Sequence, residues 1–334
     1  MNKIEVIAEL AQGFEGDYHK AKLLIKAAAD AGADAAKFQM VYAAELATTD
    51  YKYYDLFQSL EMEDSEWKNL AEYAKELGIQ LYLDIFGVKS LRLCEQIAIN
   101  GVKLHGTDIS NISLLHEVAN SSIKKVMLGA GGAHLSEIEN ALQILDGKDI
   151  IILLGFQGYP TPTETNQILR VQLMVLYLSD KYTNVIIGFA DHADPVSSMR
   201  FALASVAIGA GARAIEKHLT LAKAMKMEDH ESALNPDEFL EFCTYTQECY
   251  NALGNAKISE NFNMSEPENA YRSLIRRHAV AAHDLVEGSI IEPKDIVLKR
   301  SSSDNAITDL SLVYKKKLKQ NVKENSAIIP SYLE

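Results

Sequence analysis

The sequence predicts a (β/α)8 TIM barrel followed by a small, mostly β domain. Eight short apolar runs alternate with longer helical patterns over roughly residues 3–255. Most runs are almost continuously apolar, as in strands that are buried on both faces of a parallel sheet. Repeated right-handed βαβ units over about 250 residues match this barrel in size and order. A doubly wound open sheet is the alternative, but no GxGxxG follows the first run.

The predicted strands and helices follow one another in strict alternation. The runs predicted to be strands are Ile4–Leu10, Ala35–Met40, Gln80–Phe86, Val102–Gly106, Lys125–Gly129, Ile150–Phe156, Val185–Ala190 and Ala214–Leu219. The predicted helices are Tyr18–Ala31, Ser65–Leu77, Val88–Ala98, Ser110–Ala119, Ser136–Leu145, Thr165–Leu178, Pro195–Ile208 and Pro236–Leu253. The first helix ends at Gly32, and the second begins with a serine typical of an N-cap and ends at Gly78.

The pattern changes after Leu253, which predicts three segments. Residues 1–255 form the barrel and residues 256–272, polar and containing Pro267, form a linker. Residues 273–334 form the small domain, with strand-like runs at Ala279–Ala282, Ser289–Ile291 and Ile296–Lys299. Because a domain of about 60 residues has a marginal core, we expect it to pack on something else.

Composition excludes several classes of protein. The 334 residues are 48% hydrophobic, which is too apolar for a disordered chain, and the formal charge is −13, from 33 basic and 46 acidic residues. That charge argues against nucleic-acid and anionic-membrane partners. The three cysteines predict neither a disulfide framework nor a CxxC zinc site. With no signal-peptide pattern and no apolar stretch of about 18 residues, we expect a soluble, cytoplasmic protein.

Polar residues end most of the predicted strands, where a barrel places its active site. They are Glu9, Lys37, Gln39, Asp84, Lys103, His105, Gln157, Tyr159, Asp191, His192, Glu216 and His218. Strand alternation puts the two members of each same-strand pair, such as Lys37 and Gln39, on one face. A charged side chain in such a strand should face the lumen and be paired there. The alternative to a functional site is a set of structural ion pairs.

Histidines and lysines within this set suggest specific chemistry. His192 and His218 end adjacent strands, and two neutral imidazoles are typical ligands of a divalent metal ion. His230, in the predicted eighth loop, is a further ligand candidate, although the pattern favours a solvated loop histidine. Lys37 and Lys103 suit a carboxylate or phosphate, or one of them a Schiff base.

Several motifs resemble the sialic acid synthase family in order and spacing. They are Ile7-Ala8-Glu9, Lys37-Phe38-Gln39, Tyr159–Pro162 (YPTP), Gly188–His192 (GFADH), Ile215–Thr220 (IEKHLT) and Asp229–Pro236 (DHESALNP). The tail, Arg276–Arg300, is similar to that family's C-terminal antifreeze-like, or SAF, domain. The resemblance covers essentially the whole chain.

The resemblance implies a fold, a reaction and an assembly. It implies a metal-dependent transferase that condenses phosphoenolpyruvate with an N-acetylated amino-sugar aldehyde, giving a nonulosonic acid and phosphate. The expected cofactor is a divalent metal ion, manganese or magnesium. The expected assembly is a domain-swapped homodimer in which the SAF domain of one subunit covers the barrel mouth of the other.

The resemblance also assigns roles to individual residues. It places the metal on His192 and His218, the catalytic carboxylate and lysine on Glu9 and Lys37, and a second lysine of the phosphate side on Lys103. Substrate-binding positions fall on Gln39, Gln157, Tyr159, Asp191 and Asp229, and Arg300 matches an arginine that reaches the partner's site.

This chain departs from the family at positions that hold phosphoenolpyruvate. The family's Thr-Pro-Phe is Asp84-Ile85-Phe86 here, its Ser-Thr-Gly is Gly129-Ala130-Gly131, and hydroxyl groups are missing at Gly106 and Ala190. Each lost donor to a charged ligand costs about 1.5–3 kcal/mol. We therefore expect weak phosphoenolpyruvate binding. The alternatives are an altered donor or aldol/lyase chemistry on a related sugar, and a non-catalytic sugar-binding relative.

Overall fold

A computed structural model describes the chain at residues 3–155, 158–254, 262–303 and 305–334. The predicted site residue Gln157 and residues 256–261 of the predicted linker lie outside these ranges. The chain divides into two compact units, Met1–Gly254 and Asn255–Glu334. Within the described ranges, no helix combines the length and apolar character that crossing a bilayer requires.

The first unit is a closed barrel of eight parallel strands, as the sequence predicts. The strands are β1 (Glu5–Ala11), β2 (Ala35–Gln39), β3 (Gln80–Ile85), β4 (Gly101–Leu104), β5 (Lys125–Gly129), β6 (Asp149–Leu154), β7 (Val185–Asp191) and β8 (Ala214–His218). Each strand pairs with the next, and β1 closes the barrel against β8. Each of the eight strands predicted for the barrel is confirmed, with its ends shifted by at most two residues.

Helices connect the strands on the outside of the barrel. They are α1 (Tyr18–Asp30), α2 (Ala43–Leu46), α3 (Tyr54–Ser59), α4 (Asp64–Leu77), α5 (Val88–Gln96), α6 (Ile112–Asn120), α7 (Leu135–Ile144), α8 (Leu169–Leu178), α9 (Ala202–Gly209) and α10 (Pro236–Ala252). Short 3₁₀ turns occur at Gly106–Asp108, Thr163–Thr165, Lys223–Met225 and His230–Ser232. The sequence did not predict α2 and α3, which lie in the connection from β2 to α4.

Two predicted helices begin later than expected, and a third has a different N-cap. The helix predicted from Thr165 begins at Leu169, after the 3₁₀ turn Thr163–Thr165. The helix predicted from Pro195 begins at Ala202, because Asp194 and Ser197 bond the nearby backbone N–H groups of Val196 (2.9 Å) and Met199 (3.0 Å). The helix predicted from Ser65 begins at Asp64, because Glu63 and Glu66 form the capping box.

The barrel encloses an apolar layer beneath its polar end. Side chains that alternate toward the lumen fill this layer, namely Ile7, Ala35, Tyr82, Met127, Ile151, Leu153 and Ala214. The opposite faces of the strands pack against the helices, where Phe14, Phe38 and Trp67 meet edge to face. The polar ends of the strands therefore lie next to a packed apolar layer.

The second unit contains a helix and a small antiparallel sheet. Strand β9 (His278–Ala281) pairs with β10 (Ile296–Lys299), and 3₁₀ turns lie at Pro293–Asp295, Leu310–Leu312 and Pro330–Tyr332. In the described part of the second unit, the predicted strand Ser289–Ile291 contains a single isolated bridge, from Ile290 to Lys317. The sequence did not predict α11 (Glu266–Ile275), which begins inside the predicted linker, because Ser265 caps this helix and Pro267 occupies its first turn.

Candidate active site

A buried cluster of charged side chains occupies the lumen at the carboxyl ends of the strands. We call it the charged floor: Glu9, Lys37, Asp84, Lys103 and Glu216. They come from β1, β2, β3, β4 and β8, and register places Glu9 beside Lys37 and Asp84 beside Lys103. The strand alternation seen in the sequence thus brings distant residues into one layer.

Each lysine of the charged floor contacts more than one carboxylate. Lys37 Nζ donates to Glu9 and, at 2.7 Å, to Asp84 Oδ1, and it lies 3.5 Å from Glu216 Oε2. Lys103 Nζ donates to Glu216 Oε1 at 2.8 Å and lies 3.7 Å from Asp84 Oδ2. Three carboxyl groups therefore share two ammonium groups, which leaves one negative charge if all are ionised.

The pKa values of the side chains in the charged floor are shifted in different directions. Burial raises the pKa of Glu9 to about 7, against the opposing effect of Lys37. Burial also acts on Glu216, but Lys103 and Lys37 hold its pKa well below the usual range. Burial would lower the pKa of Lys37, yet Asp84, Glu216 and Glu9 raise it well above its usual value. Lys37 therefore stays an ammonium ion, whereas a Schiff base requires a neutral amine.

A pair of histidines lies next to the charged floor. His192, which follows β7, and His218, at the end of β8, have ring centroids 5.2 Å apart. Tyr159 meets both rings edge-on, at 5.1 and 5.7 Å. Burial lowers the pKa of His192 to about 4 and that of His218 well below its usual value. Both imidazoles are neutral at physiological pH.

The histidine pair fits a divalent metal ion. Neutral imidazole nitrogen is a common metal ligand, and His192 Nδ1 is buried with no hydrogen-bond partner among the described residues. Over the described ranges, no group of three or more His, Cys, Asp or Glu residues is arranged as a metal site. Water and substrate oxygens would have to complete the coordination of an ion held by two histidines. His230 Nδ1 instead lies 2.8 Å from the Met227 carbonyl oxygen.

The remaining predicted residues of the barrel lie in different places. Gln39 accepts a hydrogen bond from Gln12 Nε2 at 2.7 Å. Asp229 has a left-handed backbone (φ 62°), and burial raises the pKa of its carboxyl, although a backbone hydrogen bond from Gln12 opposes this. Sequence reasoning missed Gln12, although its position directly after β1 was a usable signal.

Asp191 faces away from the lumen. Its Oδ1 lies 3.2 Å from Lys217 Nζ and accepts the Ala193 N–H at 2.8 Å, and Lys217 Nζ is 6.0 Å from the ring centroid of Phe242 in α10. The expectation that charged strand residues face the lumen is wrong for this pair. Mutual pairing and the backbone hydrogen bond offset the cost of burying both charges against the helix layer.

A cavity of about 640 Å³ opens beside the strand ends of the barrel. Its lining joins the polar ends of β1, β2 and β4 to the α2–α3 connection: Gln12, Gln39, Glu45, Leu46, Ala47, Thr48, Tyr51, Phe57, Phe86, His105, Thr107 and Asp108. Sequence reasoning missed its aromatic members Tyr51 and Phe57, because α2 and α3 carry no strong helical period.

Arg300 belongs to the second unit. It directly follows β10 and is exposed there. Its predicted role in a partner's site stays a prediction.

Comparison with known proteins identifies the family. The model of the NeuB family matches residues 24–258, which is more than half of the chain. The chain belongs to the NeuB family. The family model ends at residue 258, so the resemblance of Arg276–Arg300 to an SAF domain stays a prediction.

Relatives of this NeuB protein include synthases of legionaminic acid and of sialic acid. It is 30% identical to an N,N'-diacetyllegionaminic acid synthase of Campylobacter jejuni over 91% of this chain and 92% of that one. A second such synthase, from Legionella pneumophila, is 25% identical over 98% and 94%. A crystal structure of a sialic acid synthetase from Leptospira borgpetersenii, in complex with citrate, is 28% identical with a TM-score of 0.73, covering 82% of this chain and 93% of that one.

Proposed function

We propose that this NeuB protein is a nonulosonic acid synthase that condenses phosphoenolpyruvate with the open-chain aldehyde of an N-acetylated amino sugar. One observation carries the proposal: a buried floor with two lysines lies beside a pair of neutral histidines at the active end of the barrel. The names of the relatives, legionaminic and sialic acid synthases, support the same class of product.

His192 and His218 are the residues that would hold the divalent cofactor, manganese or magnesium. When bound, such an ion supplies Lewis-acid polarisation of the aldehyde oxygen. The edge-on Tyr159 ring packs against both imidazoles and limits their rotation, which helps to hold the orientation of each ring.

The residues of the charged floor act on the donor. Lys37 and Lys103 hold its anionic groups, and Glu9, with a pKa near 7, moves protons at neutral pH. Carbon 3 of the donor forms a bond to the aldehyde carbon. Water then adds at carbon 2 and phosphate leaves, which gives the 2-keto acid. Gln39, Gln157, Tyr159 and Asp229 would contact the sugar.

A second candidate keeps the barrel and the sugar but uses a donor without phosphate, as in an aldol-type lyase. Two observations favour it. Lys37 and Lys103 are already neutralised by three carboxylates. A Cβ atom at Gly129 would lie 2.8 Å from the Gly106 backbone nitrogen, so a serine there would not fit without movement of the backbone.

One assay separates the candidates. The protein is incubated with manganese, an N-acetylated hexosamine panel and either phosphoenolpyruvate or pyruvate, and both released phosphate and product mass are measured. Phosphate with a condensed product supports the synthase, and product from pyruvate alone supports the second candidate. Neither product, with sugar still binding, indicates a non-catalytic relative and contradicts the proposal.

A variant tests the cofactor residues. The double change His192→Ala and His218→Ala should abolish bound manganese and activity, because it removes both imidazole ligands. His116→Ala, an exposed histidine on α6, is the matched control and should keep both. Stoichiometric metal in the double variant would show that the ion binds elsewhere.

We also propose that the protein is a homodimer in which Arg300 of one subunit completes the site of the other. The family resemblance of the tail and the exposure of Arg300 support this arrangement.

A further inference from the structure

The second unit contains a cavity of about 410 Å³ that the proposed reaction does not use. Its lining is basic and rich in hydroxyl groups: Arg272, Ser273, Arg276, His278, Ser301, Ser302, Ser303 and Thr308. All of these residues lie between α11 and the segment after β10, so the second unit alone forms the cavity.

Local structure brings these groups together. Arg272 lies in the last turn of α11 and Arg276 directly follows it, four positions later, so both side chains lie on one face. The chain after β10 returns beside β9, where the Ala279 N–H donates to the Ile307 carbonyl at 2.8 Å. This bond puts Thr308 next to His278.

The cavity holds donors that protein acceptors do not satisfy. In the described part of the second unit, the ion pairs join His283–Asp295, Lys294–Glu292, Lys317–Glu334 and Lys323–Asp284. Among the described residues, neither Arg272 nor Arg276 forms an ion pair. His278 Nδ1 is buried and, among described atoms, has no hydrogen-bond partner. Ser301 Oγ accepts the Ser303 N–H at 3.1 Å, and its hydroxyl proton donates to no described residue.

We infer that this cavity binds a phosphate group, either free or on a small ester. The guanidinium groups of Arg272 and Arg276 repel each other and would also repel a cation. The planar fork of an arginine side chain matches the oxygens of a tetrahedral anion. The serine and threonine hydroxyls supply further donors, which suits an anion with three or four acceptor oxygens. This assignment does not rest on the proposed synthase activity.

Calorimetric titration of the full chain with inorganic phosphate tests the inference. Arg272→Gln and Arg276→Gln should each raise the dissociation constant roughly tenfold or more, since each removes a charged donor. Arg277→Gln is the control, because Arg277 is an exposed neighbour that does not line the cavity. Phosphate bound in the barrel would contribute equally to all of these proteins, so the difference between variant and control reports the cavity.

These titrations can either support or overturn the assignment of a phosphate site. Equal affinity in Arg272→Gln, Arg276→Gln and Arg277→Gln would overturn the assignment, as would the absence of saturable binding to wild type below about 10 mM. Arg272→Lys keeps the charge and should lose only part of the affinity, which separates guanidinium recognition from net charge. Repeating the titration with glycerol 3-phosphate identifies the source: tighter binding indicates an ester ligand, and equal binding indicates free phosphate.

Discussion

Glu9 is the carboxyl group whose charge the lysines of the floor do not fully compensate. Its Oε1 accepts the Ala11 N–H at 2.8 Å and its Oε2 accepts from Lys37, yet burial still raises its pKa to about 7. Asp84 and Glu216 alone would balance Lys37 and Lys103. The third carboxylate, Glu9, therefore lowers the stability of the folded protein. A role in proton transfer would explain why it is present.

Glu9→Gln should stabilise the protein at alkaline pH and abolish activity. A carboxyl whose folded pKa of about 7 exceeds its ordinary value of 4.5 contributes stability below about pH 4.5, and this contribution is lost as pH rises through 7. The variant should therefore match wild type near pH 4.5 and exceed it by roughly 1–3 kcal/mol at pH 8. Urea unfolding across this range measures the difference.

The control for this pH series is Glu72→Gln, which removes an exposed carboxylate of α4. Its effect on the free energy of unfolding should be small at every pH. A Glu9→Gln effect that does not change with pH would contradict the raised pKa.

Asp191 and Lys217 form a buried ion pair whose role is structural. Lys217→Met leaves a buried carboxylate without its cation and should cost about 3–5 kcal/mol. Adding Asp191→Asn removes that uncompensated charge, so the double variant should be more stable than the sum of the two single effects. Chemical denaturation of all four proteins gives the coupling energy. Additive effects would mean that the two side chains do not depend on each other.

The α2–α3 connection is attached to the barrel through Glu45 of α2. Glu45 Oε1 accepts the Lys89 N–H at 2.6 Å, and its Oε2 accepts the Ser90 N–H at 3.2 Å. A carboxylate at the start of α5 satisfies unpaired N–H groups and interacts favourably with the helix dipole. Glu45 also lines the large cavity of the barrel, so this contact shapes the candidate site.

Gly87→Ala should disrupt the Glu45 contact from the other side. A Cβ at Gly87 would lie 2.3 Å from Glu45 Cδ and Oε1, while its extended backbone (φ −169°) accepts any residue. Gly87→Ala and Glu45→Ala should each cost about 0.5–2 kcal/mol, as for a lost helix cap, and the double variant should cost little more.

Gly209→Ala is the matched control for this cycle, since a Cβ there meets nothing within 4 Å. Its effect on thermal melting should be small. If the stability losses of Gly87→Ala and Glu45→Ala are fully additive in the double variant, the alanine at position 87 does not act through Glu45.

If Arg300 serves the barrel of a neighbouring subunit, activity requires the assembly of two subunits. Mixing inactive Arg300→Ala subunits with inactive His218→Ala subunits should restore part of the activity, because one barrel in each hybrid dimer has both groups. A mixture of Arg300→Ala with itself is the control and should stay inactive. No recovery from subunits shown to exchange would exclude this arrangement.

The eight strands could be predicted from the sequence because their signal is local. Continuous apolar runs such as Ile150–Phe156 are typical of strands buried on both faces of a parallel sheet. Gly78 ends its helix with the left-handed backbone that glycine favours. Alternation also predicted that Lys37, Lys103 and Glu216 face the lumen. The α2–α3 connection was missed, because helices of four and six residues are too short to show a period.

The pairing of the charges was decided by tertiary structure alone. Lys103 reaches Glu216 across 113 positions and Lys37 reaches Asp84 across 47, through strand register that no local pattern encodes. The barrel likewise places Asp191 next to Lys217, on the face of the strands that points away from the lumen. Local periodicity therefore determined which residues are buried in strands, whereas the closed barrel determined their partners and protonation, because charges interact through space and not along the chain.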